Sequence, residues 1–301
     1  MADITLPMNL SKFAKPFRVT DGKSFHLQAI DPADTLGIES SESAEELLER
    51  GLKPLRDLQH QLYAQERWAL LVVLQAMDAA GKDSVINHVM SGVNPQGCEV
   101  SAFKTPSAEE LNHDFLWRTN HRLPERGRIG IFNRSYYEEV LVVRVHREML
   151  AAQKLPASLV TKQIWKERFK DLNAFERYLA RNGTVVLKFF LHLSKEEQKR
   201  RFLKRLDVPE RNWKFSAADV RERKYWNDYM DAYQDMIRHT ATEYAPWYVV
   251  PADHKWFTRI VVAAAIVDAL ESLNLSFPKV DAARRAEIKA ARAALLHERR
   301  K

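Results

Sequence analysis

A single cysteine, Cys98, in 301 residues rules out an intrachain disulfide and any zinc site built from thiolates. Nine glycines and twelve prolines are too few for a collagen-like or low-complexity chain. Long apolar runs are missing too. The longest, residues 68–74 and 260–267, fall far short of the ~18 residues a membrane span needs. The opening residues lack the basic-then-apolar layout of a secretory signal, so a cytoplasmic protein is expected, with no membrane partner. No internal repeat is present. What the chain has is ordinary globular material, 46% hydrophobic and 29% charged, long enough to bury a core without staples.

The net charge of +7 is unevenly spread. Residues 199–224 hold ten basic and four acidic side chains, and residues 281–301 hold seven and three. Concentrated basic zones point to a polyanionic partner, although a basic helix face can also be merely solvated.

Apolar runs at 68–74, 99–103, 128–132, 184–191 and 247–250 read as short buried strands, and helical spacing fills the segments between them. The expected helices cover 45–67, 82–90, 107–122, 136–146, 159–181, 194–206, 219–240 and 255–273, with a loop at 207–217 and an Ala- and Arg-rich helix from 281. This alternation predicts an α/β fold: a five-stranded parallel sheet with helices on both faces, a three-layer sandwich. Residues 1–42 read as an extended arm, 43–275 as the main domain with a lid at about 205–225, and 276–301 as a C-terminal basic helix. In such sheets ligands lie beyond the carboxyl ends of the strands, here 75–84, 104–107, 133–137, 192–195 and 251–255.

The first of these places holds Ala79, Ala80, Gly81, Lys82, Asp83 and Ser84 between a strand and a helix. It misses the G-x-x-x-x-G-K-[ST] phosphate-loop pattern twice, with Ala76 at the first glycine and Asp83 at the hydroxyl position. Its small residues still let backbone N–H groups approach an anion, with Lys82 reaching phosphate oxygens. Asp83 reads chiefly as a helix-start carboxylate. Asp78 would repel a phosphate unless a divalent cation lay between them, which makes it a candidate Mg²⁺ ligand. The strand at 128–132 leads into Asn133, where an Asp usually holds the metal, and Arg134, which can clamp a phosphoryl group. Lys104, Asn120 and Arg122 are candidate acceptor-phosphate contacts, and Phe103, Trp117 and Tyr136 candidate stacking partners for a base. Lys199, Arg200, Arg201, Lys204, Arg205, Arg211, Lys214, Arg221 and Lys224 form a basic strip suited to a channel and lid for a phosphate chain. Phosphate oxygens are already deprotonated at neutral pH, so no general base is expected.

The segments Asp78-Ala79-Ala80-Gly81-Lys82, Phe132-Asn133-Arg134-Ser135-Tyr136-Tyr137-Glu138, Val142-Val143-Arg144-Val145-His146 and 194–202, with Trp213-Lys214-Phe215-Ser216 and Tyr225-Trp226-Asn227-Asp228-Tyr229, resemble the polyphosphate kinase 2 family over roughly residues 40–275. The resemblance implies a P-loop kinase fold with a helical lid. It also implies phosphoryl transfer between inorganic polyphosphate and AMP, ADP or ATP, with Mg²⁺ or Mn²⁺ as cofactor, in a homo-oligomer (dimer or tetramer). On that pattern Asp78 is the loop's metal ligand, Lys82 its phosphate-binding lysine and Arg134 the strand-end arginine. Family members commonly have Asp at position 133; Asn there is similar to the subgroup acting on both AMP and ADP. Two other readings remain open. One is an ATP-dependent kinase on the same fold. The other is a single-stranded nucleic-acid binder using Trp213, Phe215, Tyr225 and Trp226 as a stacking platform; with polyphosphate as the partner, none with nucleic acid is expected.

Overall fold

The computed structural model describes residues 10–298. Five parallel strands form as the apolar runs predict: β2 (Ala69–Gln75), β3 (Cys98–Ala102), β4 (Ile129–Asn133), β5 (Thr184–His192) and β6 (Trp247–Pro251). A sixth corrects the expected count. β1 (Arg18–Val19) pairs antiparallel with β6, so the sheet is mixed and ordered β1-β6-β5-β2-β4-β3. Two residues carry too little pattern to be read as a strand.

β2 lies at the centre, every residue buried. Its alternating side chains feed two cores. Leu70, Val72 and Leu74 join the cluster with Leu52, Leu55 and Leu62 of α1 (Ser41–Gln65), while Leu71 and Val73 join the other. The remaining helices are α2 (Lys82–Val89), α3 (Ile164–Arg181), α4 (Lys195–Asp207), α5 (Ala217–Glu222), α6 (Trp226–Thr240), α7 (Lys255–Ser272) and α8 (Ala282–His297), besides shorter turns. α7 packs with α1 on one face; α3 and α6 cover the other, which completes the three layers.

The arm expected over 1–42 is not merely extended. Residues 1–9 lie outside the described residues, but Leu10, Phe13, Ala14 and Phe17 are buried, and Phe17 meets Phe257 of α7 edge to face at 5.8 Å. Their spacing is that of a helix face, a signal too short to stand out. The helix expected over 107–122 is also corrected. Its capping box forms, Ser107 N donating to Glu110 Oε2 at 2.7 Å and Glu110 N to Ser107 Oγ at 3.2 Å, yet it opens only a single 3₁₀ turn, Glu110–Asn112. His113 is extended, and Asp114 then caps a separate turn through Leu116 N at 2.9 Å. Similarly, 136–146 divides at Leu141 into a 3₁₀ turn (Tyr136–Val140) and a short helix (Val142–Val145), and α3 starts at Ile164. The loop at 207–217 contains a 3₁₀ turn (Pro209–Lys214), and a 3₁₀ turn (Arg223–Tyr225) separates α5 from α6. α8 has no buried residue; residues 299–301 lie outside the described residues.

Candidate active site

The loop after β2 is shaped by its backbone. Ala79 (φ 65°) and Gly81 (φ 112°) are left-handed, a conformation that folds the chain into an anion-binding concavity. Glycine meets the second requirement without strain, whereas Ala79 pays it with a Cβ in place. The first turn of α2 presents helix N–H groups to the same space. Lys82 folds back over the loop and donates from Nζ to the Ala76 carbonyl at 2.9 Å. Burial lowers its pKa, with Asp78 pulling the other way.

β4 lies beside β2 with Asn133 in register with Leu74, so the strand ends deliver Arg134 to the loop. Arg134 takes a left-handed φ of 64° and donates from NH2 to Asp78 Oδ1 at 2.9 Å. Burial opposes its charge, but Glu138, 3.9 Å away, and Asp78 together raise its pKa. Burial raises the pKa of Glu138, against the pull of Arg134 and Lys82. Asn133 Nδ2 donates to Asp83 Oδ1 at 2.8 Å, and Ser84 Oγ accepts from Arg259 at 3.0 Å. Asp78, Ala79, Ala80, Gly81, Lys82, Asp83, Ser84, Asn133 and Arg134 therefore converge on one place.

The other expected positions divide. Arg122 pairs with Glu99 of the edge strand β3 at 3.9 Å; Asn120 and the Lys104 side chain are exposed. Arg118 is better placed. It donates to the Lys104 carbonyl at 2.8 Å and lines a cavity with Glu110, Phe115, Ser135, Glu138 and Gln153. Phe103 and Tyr136 are core residues, Tyr136 OH donating to Glu176 at 3.0 Å, and Trp117 stacks on His113 at 4.1 Å.

On α4 the basic strip splits by face. Arg201 is buried. Its guanidinium donates to the carbonyls of Ala79 (3.0 Å), Ala80 (2.7 Å), Ala252 (2.7 Å) and Asp253 (3.0 Å) and to Glu197 Oε1 (2.6 Å). It braces the loop from behind and has no donor left for a channel, which corrects its expected role. Arg200 pairs with Glu197, and Lys199 and Lys204 face solvent. Arg205 reaches Asp219 of α5 at 3.6 Å, and its NH1 donates to the Lys214 carbonyl at 3.4 Å. Arg211, Lys214, Arg221 and Lys224 are exposed, Lys214 over Trp213 and Lys224 over Tyr225. The lid segment nevertheless touches the loop. Arg223 NH1 donates to Gln198 Oε1 at 2.6 Å, and Gln198 Nε2 donates to the Asp78 carbonyl at 3.0 Å. Glu222 of α5 is held by His146 at 2.8 Å and by Tyr229 OH at 3.1 Å.

Gln198, Glu138, Arg118, Lys255 and Arg259 were not foreseen. For Lys255 and Arg259 a signal existed: they follow the end of β6, at a strand-end position where ligands collect.

Among the described residues no group of three or more His, Cys, Asp or Glu side chains is arranged to hold a metal. Asp78 by itself suits a Mg²⁺ that keeps its water and shares phosphate oxygens, the usual manner of that ion. Among the described residues no helix is long and apolar enough to cross a membrane.

An α/β sheet with five parallel strands, whose central strand runs into an amide-lined loop with a lysine inside it and an arginine from the neighbouring strand, defines a phosphoryl-transfer site of the P-loop kinase class. The polyphosphate kinase 2 (PPK2) family model matches residues 38–278, and the chain belongs to that family. It is 53% identical to an ADP-polyphosphate phosphotransferase of Rhodopseudomonas palustris over 94% of this chain and 98% of the relative. It is 44% identical to an AMP/ADP-polyphosphate phosphotransferase of Meiothermus ruber, over 89% and 97%. The crystal structure of polyphosphate kinase 2 from Arthrobacter aurescens TC1 superposes with a TM-score of 0.83 at 41% identity, covering 92% of this chain and 96% of that one.

Proposed function

We propose that this protein transfers a phosphoryl group from inorganic polyphosphate to ADP and AMP. The observation that carries the reading is the pairing of an amide-lined loop with cations on both flanks. Arg134 stands on the β4 side; Lys255 and Arg259 stand on the β6 side. Full-length similarity to relatives named for this activity supports it.

Transfer between phosphate oxygens asks for in-line placement and charge neutralisation rather than proton abstraction. The loop amides and Lys82 hold the donor's terminal phosphates. Arg134, released from Asp78, follows the moving group, where a guanidinium stabilises charge that builds in the transition state. Glu138 is near enough to steady the freed arginine. The acceptor takes the cavity beside Ser135, Glu138 and Arg118. Asp78 would hold Mg²⁺, which when bound neutralises phosphate charge; Asn133, its amide nitrogen committed to Asp83, contributes no charge of its own. The segment 205–225 closes over the loop and excludes water.

The test is ATP formation from ADP and polyphosphate with no other donor, run in parallel with AMP. A protein that uses ATP as donor and ignores polyphosphate is the ATP-dependent kinase instead.

A further inference from the structure

Two buried residues of α4 hold three consecutive carbonyls of the loop after β2. Gln198 Nε2 donates to the carbonyl of Asp78 at 3.0 Å, and the Arg201 guanidinium donates to those of Ala79 and Ala80 at 3.0 and 2.7 Å. The two stand three residues apart, on one face of the helix. They differ in what lies at the other end. Arg201 gives its remaining donors to Glu197 and to the Ala252 and Asp253 carbonyls. Gln198 turns its Oε1 to Arg223, whose NH1 donates to it at 2.6 Å. The amide cannot be reversed, because its oxygen would then face a carbonyl and its nitrogen a guanidinium.

Arg223 opens the 3₁₀ turn between α5 and α6, where the lid rejoins the core. Its NH1 also donates to the Lys195 carbonyl at 3.1 Å, and the adjacent Glu222 is held by His146 and Tyr229 at 2.8 and 3.1 Å. Residues 222 and 223 are thus the foot of the lid, pinned to the core on one side and to α4 on the other. At the loop end the contact has a geometric consequence. A trans peptide is planar, so its carbonyl and its N–H point opposite ways. With the oxygen of the Asp78–Ala79 peptide held by Gln198, the Ala79 N–H is turned away from α4, to the side where loop amides meet an anion. Ala79 is left-handed, a conformation that persists in a residue with a Cβ only where its surroundings hold it.

We infer that Gln198 is a positioning residue that couples the foot of the lid to the loop. When Arg223 is displaced, the Gln198 amide is freed, and the Asp78–Ala79 peptide loses its set together with the Asp78 carboxylate. The coupling rests on the proposed reaction only for its effect on rate.

Arg223 bonds to α4 and not to the loop, which makes it the probe. Amide hydrogen exchange of the free protein, read by mass spectrometry, should be about tenfold faster over residues 76–81 in Arg223→Met, the equivalent of ~1.4 kcal/mol for one hydrogen bond lost. Gln198→Glu keeps an acceptor for Arg223 but sets an oxygen against the Asp78 carbonyl. It should loosen 76–81 as much while leaving 217–223 protected. Thermal melting checks that each variant folds; Gln198→Met, of like length and uncharged, replaces Gln198→Glu if the buried carboxylate prevents folding. In each single variant kcat for ATP formation from ADP and polyphosphate should fall about tenfold with KM for ADP within about twofold, and the double variant should be no slower than Gln198→Glu, since a single link is broken only once. Unchanged exchange over 76–81 in Arg223→Met overturns the coupling, and so do kcat losses that multiply in the double variant. A wild-type protein that makes no ATP from ADP and polyphosphate, yet whose loop loosens in Arg223→Met, upholds the coupling and overturns the reaction.

Discussion

Asn133 Nδ2 donates to Asp83 Oδ1 at 2.8 Å, and this one contact joins two positions where the chain departs from the usual phosphate-loop and strand-end pattern. An aspartate at 133 would set two carboxylates against each other. The amide instead turns the second acid into an acceptor, and Asp83 keeps its place at the positive end of α2.

Asn133→Asp should therefore lower stability by up to about 1 kcal/mol and reduce kcat, through repulsion at a half-exposed site. The exchange double variant, Asn133→Asp with Asp83→Asn, should recover the stability because the donor–acceptor pair is re-formed with its ends reversed. Urea titration of the three proteins is the measurement. A double variant no more stable than Asn133→Asp contradicts the coupling.

Arg134 is the cation nearest the loop carboxylate, and its guanidinium is the group expected to follow the transferred phosphoryl. Arg134→Met should reduce kcat by roughly 10²–10³, the range for removing one transition-state donor, while leaving polyphosphate KM within a few-fold. Arg134→Lys should restore little, since a point charge lacks the planar fork. Steady-state kinetics at saturating ADP separates these outcomes.

The buried pair Lys188–Glu176, 2.7 Å apart and fully enclosed, anchors the segment that follows Arg134. Tyr136 and Tyr137 both donate to Glu176 Oε1, at 3.0 and 2.8 Å, and Lys188 also donates to the Thr240 carbonyl at 2.7 Å. Glu176→Gln should cost about 3–5 kcal/mol by leaving an uncompensated buried ammonium. The double variant Glu176→Leu with Lys188→Met should be more stable than Glu176→Gln in chemical denaturation. If it is less stable, the two tyrosine hydroxyls and the Thr240 carbonyl, left without partners, outweigh the ion pair.

The pKa of Lys255, about 8, sets a pH dependence. The groups acting on it are Arg201 and Arg205 of α4, Arg211 of the following turn and Arg259 of α7, all cationic. Without ligand the lysine loses its proton as pH rises through about 8, so polyphosphate affinity should be highest below that point and fall above it. Folding has the opposite sign. A lysine whose folded pKa is depressed below its ordinary 10.5 leaves the unfolded chain binding more protons between the two values, so stability rises with pH across that window. The check is KM for polyphosphate against pH, from about 6.5 to 9.5. The profile should flatten in Lys255→Met.

The sequence made the parallel strands legible to within a residue or two, because a buried strand in such a sheet is a short unbroken apolar run bounded by turns. That Asp78, Lys82 and Arg134 come together was legible because each lies just past the end of one of two adjacent strands. The sorting of α4 was not. Arg200, Arg201 and Arg205 look alike in a list, and only packing shows that Arg201 spends its donors on four backbone carbonyls of two loops. β1 and the helical face of Leu10, Phe13, Ala14 and Phe17 were missed because each is shorter than any pattern that separates signal from chance. The helix expected from Ser107 failed for a different reason. Its capping box was correct, but Asp114 offered the backbone a competing start a few residues later.

The position of the loop on the middle strand has an evolutionary corollary. On the proposed arrangement, nucleotide choice falls to residues hung from β4 and the segment after β3, and the grip on the inorganic chain to groups on the β6 side of the loop. Mutations that retune base preference need not pass through the donor machinery, so descendants can swap acceptors while keeping their phosphate source.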